Sequence, residues 1–364
     1  MRRILMHVGP SVGSYEVLLK SVKEDVGFGS PEFVEAMRSA LEGVRYVMGA
    51  DNSFTPFIIP GSGTSAMEAV TTFLREGDRV LVASNGLFGD RWRSILERYP
   101  VKVDYIGSEP GRSISAKSIQ EIAESKHYRM SFFTQVETST GVRAPVPELV
   151  KEMKKVSEFV ALDGVAAVGG EESCASKWGI DYYVTASQKA IGAPPGAGIS
   201  TVSGRLMENI PERSVSGYSL DLSNWKRTME SFLDGKGSYF ATPPVHVILS
   251  LDYALRLARE ETMDKRVRRH IASRDQIVEG IEEMGFETVA EPGLRSSTVT
   301  GVLTGKISPG DLLAASLRRG VEFAPGVHPA LAGRYFRIGH MGWITEKDAA
   351  IAVHVLRGAL KEVS

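Results

Sequence analysis

Phe159-Val160-Ala161-Leu162-Asp163-Gly164-Val165 and, a little further on, Tyr182-Tyr183-Val184-Thr185-Ala186-Ser187-Gln188-Lys189 decide the fold class. Each is a short apolar run that ends on a chemically active side chain at a turn. Strands buried on both faces read this way, and they belong to parallel sheets covered by helices. Working outward from Pro56 to Val202, similar runs fall at Phe57–Ile59, Val80–Ala83, Val101–Ile106, Met130–Thr134, Phe159–Asp163, Tyr182–Thr185 and Gly198–Val202. Helical patterns separate them at Ser65–Arg75, Leu87–Arg98, Ala116–Ser125 and Pro147–Ser157. The sequence therefore predicts an α/β fold with a seven-stranded, mainly parallel sheet.

After Pro243-Pro244 the pattern changes. Val245 to Met284 reads as one long helical stretch, and its charge run from Arg256 to Arg274 as a solvated face. Beyond Pro292-Gly293, Thr298–Leu303, Ile307–Arg319, Tyr335–Gly339 and Glu346–Leu360 alternate strand, helix, strand, helix, which predicts a smaller C-terminal α+β domain. The expected division is an N-terminal segment 1–20, a large domain 21–245 and a small domain 246–364.

Of 364 residues, 43% are hydrophobic and 24% charged, the profile of an ordinary globular protein. Against 43 basic residues stand 44 acidic ones, which leaves no electrostatic footprint for nucleic acid or an anionic membrane. The lone cysteine, Cys174, can form neither an intramolecular disulfide nor a multi-cysteine zinc site, so a reducing, cytoplasmic location is expected. The first apolar run is interrupted by His7 and stops at Gly9-Pro10, too short for a secretory leader, and no run approaches the roughly 18 residues of a membrane span.

Three stretches can carry chemistry. Pro60-Gly61-Ser62-Gly63-Thr64-Ser65 follows a predicted strand and opens a predicted helix, so its amides and hydroxyls can cradle a phosphate; the plainer reading is a turn capped by Thr64 or Ser65. It lacks the ending of a nucleotide P-loop and the third glycine of a dinucleotide fingerprint. Asp163, at the carboxyl end of a strand, points into the crevice where open α/β sheets bind ligands, as a metal ligand, a general base or a partner for a ring nitrogen. Lys189 follows directly on a strand, where partial desolvation makes a lysine an amine nucleophile. In combination these are the requirements of pyridoxal phosphate: donors for its phosphate, a carboxylate for its pyridinium nitrogen and a lysine for its aldehyde. No metal is called for.

With these residues in place the chain resembles the class V aminotransferases, within fold type I of the pyridoxal-phosphate enzymes, nearest the alanine:glyoxylate and serine:pyruvate branch. The resemblance is carried by Ser30-Pro31-Glu32-Phe33, Gly61 to Ala69, Asn85 to Arg91, Glu137 to Val142, Asp163-Gly164-Val165, Ser187-Gln188-Lys189, Tyr239 to Pro244 and Phe336 to Gly342. It implies that Lys189 holds the cofactor's aldehyde and, once freed, moves a proton between the substrate α-carbon and the cofactor. It implies that Asp163 pairs with the ring nitrogen, Phe88 stacks on one ring face, Val165 packs on the other, and Thr138 stands near the ring's 3-oxygen. Ser62, Gly63, Thr64 and Gln188 match the phosphate-binding groups of the same subunit; Tyr239 and Thr242 match residues that reach the phosphate from a neighbouring subunit, which implies a homodimer.

Arg337 has a physical case of its own. A planar guanidinium suits bidentate carboxylate recognition, and between Phe336 and Ile338 in a short strand it is poorly explained as surface charge. In the family it clamps the substrate's α-carboxylate. The expected reaction is ping-pong transfer of the amino group from a small L-amino acid, serine or alanine, to pyruvate or glyoxylate, with serine and pyruvate favoured. Alternatives are 2-aminoethylphosphonate, aspartate or phosphoserine on the same scaffold, or a nucleotide-binding protein that uses the Gly61 to Ser65 turn. A desulfurase needs a cysteine late in the chain, whereas Cys174 lies between Asp163 and Lys189. The chain departs from the family at Gly9-Pro10-Ser11-Val12-Gly13 and at Gly27-Phe28-Gly29, where the N-terminal segment lines the substrate entrance; Phe28 and Gly29 replace histidine and arginine and make it less basic.

Overall fold

The computed structural model describes residues 3–11, 13–22, 26–123 and 126–363. Its larger sheet has seven strands, in the spatial order Phe54–Gly61, Gly196–Ser203, Tyr182–Ala186, Ser157–Asp163, Tyr128–Thr134, Arg79–Ser84 and Lys102–Gly107. These are the seven expected strands, with bounds shifted by a few residues. Six point one way and Gly196–Ser203 runs against both its neighbours. Val80, Leu81, Val82, Phe132, Val160, Ala161 and Leu162 are all buried, as continuous apolar runs require when helices cover both faces. Lys102–Gly107 closes one edge with a partly exposed, charged strand, which discourages further pairing.

The helices Leu87–Leu96, Ala116–Ala123 and Val146–Val156 lie where expected, with Ser125, the anticipated end of the second, outside the described residues. The stretch expected as a helix from Ser65 to Arg75 is a helix Gly63–Glu68 that tightens into a 3-10 segment Ala69–Phe73. Two further helices, Pro31–Met48 and Leu222–Leu233, lie outside the strand-helix alternation that organises the sequence reading. The first is capped by Ser30, whose hydroxyl accepts from the Phe33 amide, and ends at Gly49 with φ 58°.

Val245 to Met284 is not one helix. It breaks at Thr262, φ 67°, into Val245–Glu261 and Met263–Glu283. The first buries Ile248, Leu251, Ala254, Leu255 and Ala258 in the core of the larger sheet, whereas the second contributes Ile277 and Ile281 to a separate core with Phe286, Val302, Leu312, Phe336 and Leu356. Val245–Glu261 thus packs with the larger sheet and Met263–Glu283 with the smaller one. The smaller sheet has the order Ile4–Met6, Val321–Pro325, Tyr335–Gly339, Val299–Leu303, Glu287–Thr288. Its first strand comes from the N-terminus and pairs in parallel with Val321–Pro325, a strand the sequence reading does not assign. Residues 4–6 thus pair with the smaller sheet before the chain crosses to the larger one.

Candidate active site

Asp163, Lys189 and the Gly61-Ser62 turn all stand at the carboxyl edge of the larger sheet, because the strands that end in them run parallel. Lys189 sits in a turn closed by bonds from the Gly192 amide to its carbonyl (2.9 Å) and from the Ala193 amide to Ser187 (3.0 Å). Its Nζ donates to the Val8 carbonyl at 2.7 Å. The N-terminal segment lies directly over it: Gly9 has φ 119°, and a Cβ there would come within 2.4 Å of Nζ, so only glycine fits. Ser11 continues the crossing, donating from its amide to the Gln188 carbonyl and from its hydroxyl to that of Lys189. Burial, reinforced by the positive charge of Arg337 and opposed by Asp163, lowers the Lys189 ammonium to about 8.

Asp163 is 3% exposed, with Thr134 and Val184 as register neighbours. Oδ1 accepts from the Val165 amide at 2.8 Å and Oδ2 from the Thr134 hydroxyl at 3.4 Å. Burial pushes the carboxyl up to about 7, and among the described residues no cationic side chain forms an ion pair with it. A buried carboxylate without a cation calls for a charged N–H donor from a ligand.

At the phosphate-like cradle, the Ser62 amide donates to the Ser65 hydroxyl at 3.2 Å, and a Cβ on Gly63 would meet Val165 at 2.6 Å. Val165 therefore packs between the cradle and the Asp163 loop. The side-chain oxygen of Gln188 is buried with no hydrogen-bond partner. Arg91, to which the sequence reading gives no role, donates to the Thr64 hydroxyl at 3.1 Å, and its guanidinium lies 4.6 Å from the Phe88 ring centre. Its i, i+3 spacing from Phe88 on one helix was the available signal.

Phe88 is set by a second residue that went unassigned. Glu137, wholly buried, accepts from the amides of Phe88 (3.0 Å), Gly89 (3.1 Å) and Ser139 (3.0 Å) and from the Ser139 hydroxyl (2.6 Å). Burial raises its carboxyl while these donors, two of them at the N-terminus of the helix Leu87–Leu96, oppose the rise. The next residue, Thr138, offers its carbonyl to Arg337 Nη1 at 3.1 Å; Arg337 Nε donates to the Pro325 carbonyl at 2.9 Å. Arg337 is 4% exposed, and among the described residues no carboxylate pairs with it. A buried guanidinium aimed by two carbonyls has the planar fork that suits a ligand carboxylate.

Tyr239 and Thr242 are not brought to this cluster within the chain. Tyr239 is 60% exposed and packs on Phe28 with ring centres 5.1 Å apart, and Thr242 is exposed as well. A surface cleft lined by Asp51, Lys154, Asp181 and Arg205 lies at the opposite edge of the sheet and contains none of the residues above. No helix is long and apolar enough to cross a membrane.

The Ser62-Gly63-Thr64 cradle, where only glycine fits at position 63, the unpaired Asp163 and the low-set Lys189 fit the three ends of pyridoxal phosphate. Comparison with known proteins agrees. The family model described as Aminotransferase class-V matches residues 15–344. The chain is 34% identical over 93% of its length, and 91% of the relative's, to alanine–glyoxylate aminotransferase 1 of Saccharomyces cerevisiae. Among solved structures it is similar to an alanine–glyoxylate aminotransferase from Nostoc (TM-score 0.93, 27% identity, 99% and 96% of the two chains covered) and to the ureidoglycine-glyoxylate aminotransferase of Bacillus subtilis (0.91, 26%, 100% and 94%). Matched over most of its length and with a site built to the cofactor's chemistry, the chain belongs to the class V aminotransferases and is a fold type I, pyridoxal-phosphate-dependent transaminase.

Proposed function

We propose that the protein transfers the amino group of a small L-amino acid, alanine or serine, to a small 2-oxo acid, glyoxylate or pyruvate, in a ping-pong reaction. The observation that carries the reading is Arg337, buried, without an acid partner among the described residues, and in the same electrostatic field as Lys189. When bound, pyridoxal phosphate supplies an aldehyde that condenses with amines and an electron-poor ring that stabilises negative charge at the substrate α-carbon. Asp163 pairs with the ring nitrogen and keeps it protonated. Phe88 and Val165 hold the two ring faces and keep water away, and Thr138 stands by the ring's 3-oxygen. Ser62, Gly63, Thr64 and Gln188 hold the phosphate. Lys189 holds the aldehyde and later, as a free amine, takes the proton from the substrate α-carbon; its lowered proton affinity leaves a usable fraction of amine near neutrality.

The relatives' names support alanine with glyoxylate more directly than serine with pyruvate. Others named for L-aspartate–glyoxylate and for 2-aminoethylphosphonate–pyruvate transfer keep those donors as alternatives. Half-reaction spectra with alanine, serine, aspartate, phosphoserine and 2-aminoethylphosphonate decide: alanine or serine should discharge the bound cofactor fastest, and a faster aspartate or phosphonate reaction would sink the proposal. Arg337→Ala should raise the KM of donor and acceptor by about tenfold to a hundredfold while cofactor affinity stays within about threefold. Equal loss for substrate and cofactor would contradict the clamp.

The reading includes a homodimer in which Tyr239 and Thr242 reach the partner subunit's phosphate site, which their exposure within one chain supports. Light scattering should give twice the chain mass, and Tyr239→Phe should weaken pyridoxal phosphate binding about tenfold, the value of one hydrogen bond to a charged group. A monomer with full cofactor affinity would exclude this arrangement.

A further inference from the structure

Arg266, on the helix Met263–Glu283, has no exposed surface at all. Its Nε donates to the Gly169 carbonyl at 2.9 Å, and Nη2 to the carbonyls of Ala190 (2.8 Å) and Ile191 (3.3 Å). Nη1 pairs with Glu261 Oε2 at 2.7 Å. One planar group thus bridges the loop that leaves Asp163 and the two residues that follow Lys189. The two segments are already in contact: Gly169, φ 94°, lies so close that a Cβ would stand 2.9 Å from the Ala190 carbonyl carbon.

Glu261 carries the bridge further. Its carboxylate also holds Arg269, which donates to the carbonyls of Gly342 and Ile344 just beyond the strand that bears Arg337, and the Trp343 ring lies 4.4 Å from the Arg266 guanidinium. Burying a guanidinium is costly, and apolar side chains would fill the same volume at less expense to stability. What an apolar side chain cannot do is fix two loops through a rigid fork of donors.

We propose that Arg266 is a positioning residue for Lys189: it holds the 189–191 turn at a fixed distance from the Asp163 loop, with Glu261 as its counter-charge. The inference rests on the reading that Lys189 and Arg337 are the two poles of the reaction.

The test compares Arg266→Lys with Arg269→Lys, which disturbs the same ion cluster without touching the lysine turn. In cofactor-free protein, trinitrophenylation of Lys189, followed by mass spectrometry of its peptide across a pH series, reports the position of the amine. Arg266→Lys should move that midpoint by at least about 0.5 pH unit, and Arg269→Lys should leave it in place. In the loaded enzyme, Arg266→Lys should lower kcat about tenfold to a hundredfold with the donor KM within about threefold. An unchanged profile in folded Arg266→Lys, or equal shifts in both variants, overturns the inference. If Arg266→Lys does not fold, Gly169→Ala pushes the same turn from the other side and should reproduce the midpoint shift; an unmoved midpoint there overturns it equally. If the parent takes no pyridoxal phosphate on Lys189, the functional reading fails, and the cofactor-free profiles still decide the role of Arg266.

Discussion

Lys189→Ala abolishes steady transamination, with turnover lower by about 10^2- to 10^4-fold, the range that a positioned proton-transfer group supplies. The side chain has two duties that nothing nearby can inherit. Among the described residues no other lysine shares the field of Asp163 and Arg337 with it, and Arg91, the other cation that acts on it electrostatically, is engaged with Thr64 and Phe88. Arginine, moreover, does not give up its proton in the working pH range. The parent protein loaded with pyridoxal phosphate should be yellow, and borohydride should fix the cofactor on the Lys189 peptide; the alanine variant should show neither. Turnover of the variant within about tenfold of the parent would assign the chemistry to another residue.

Asp163→Asn has opposite effects on stability and on function. In cofactor-free protein the carboxyl binds its proton more tightly when folded, at about 7, than at its ordinary value of 3.8. Its contribution is therefore complete below about 4 and is lost as pH rises through about 7, where the buried site has to hold an unpaired anion. The difference corresponds to about 4 kcal/mol by pH 8. The neutral asparagine escapes this cost, so the cofactor-free variant should melt at a higher temperature than the parent, by a gap that is small at pH 5 and widens toward pH 8. With pyridoxal phosphate the order reverses: the parent regains stability from the ring nitrogen, while the variant loses about 10^2- to 10^3-fold in kcat, as expected when charge stabilisation is removed. A gap that does not vary with pH would show that Asp163 is not the unpaired buried anion.

The seven strands of the larger sheet were legible because continuous apolar runs such as Val80-Leu81-Val82 announce a strand covered on both faces. Their reactive ends, Asp163 and Lys189, were legible for the same reason: a polar side chain that closes such a run has few structural explanations. The break at Thr262 was hidden because neither glycine nor proline marks it, and the left-handed conformation there is imposed by packing of the two flanking helices on different cores. Val321–Pro325 escaped because it is recognisable only beside Tyr335–Gly339 and the N-terminal strand. Glu137 and Arg266 were invisible for a deeper reason. In sequence one is an acid before a threonine-serine turn and the other a basic residue in a charge run, and only the folded chain shows that each is wholly buried and bonded to main-chain groups around the site.

The parallel pairing of Ile4–Met6 with the far later strand Val321–Pro325, Ile4 with Val321 and Met6 with Phe323, sets an order of events during synthesis. The Ile4–Met6 segment finds its hydrogen-bonding partner only after more than 300 further residues have been made. The larger sheet, whose strands lie between residues 54 and 203, can assemble while the N-terminal strand is still waiting. At three residues that strand is too short to template much misassembly in the interval. Residues 7–11, which lie over Lys189, are held at one end by that small-sheet pairing and at the other by the bonds of Ser11 to Gln188 and Lys189. Until the small sheet is made its anchor is missing, and the cover over the Lys189 amine is held at its Ser11 end alone.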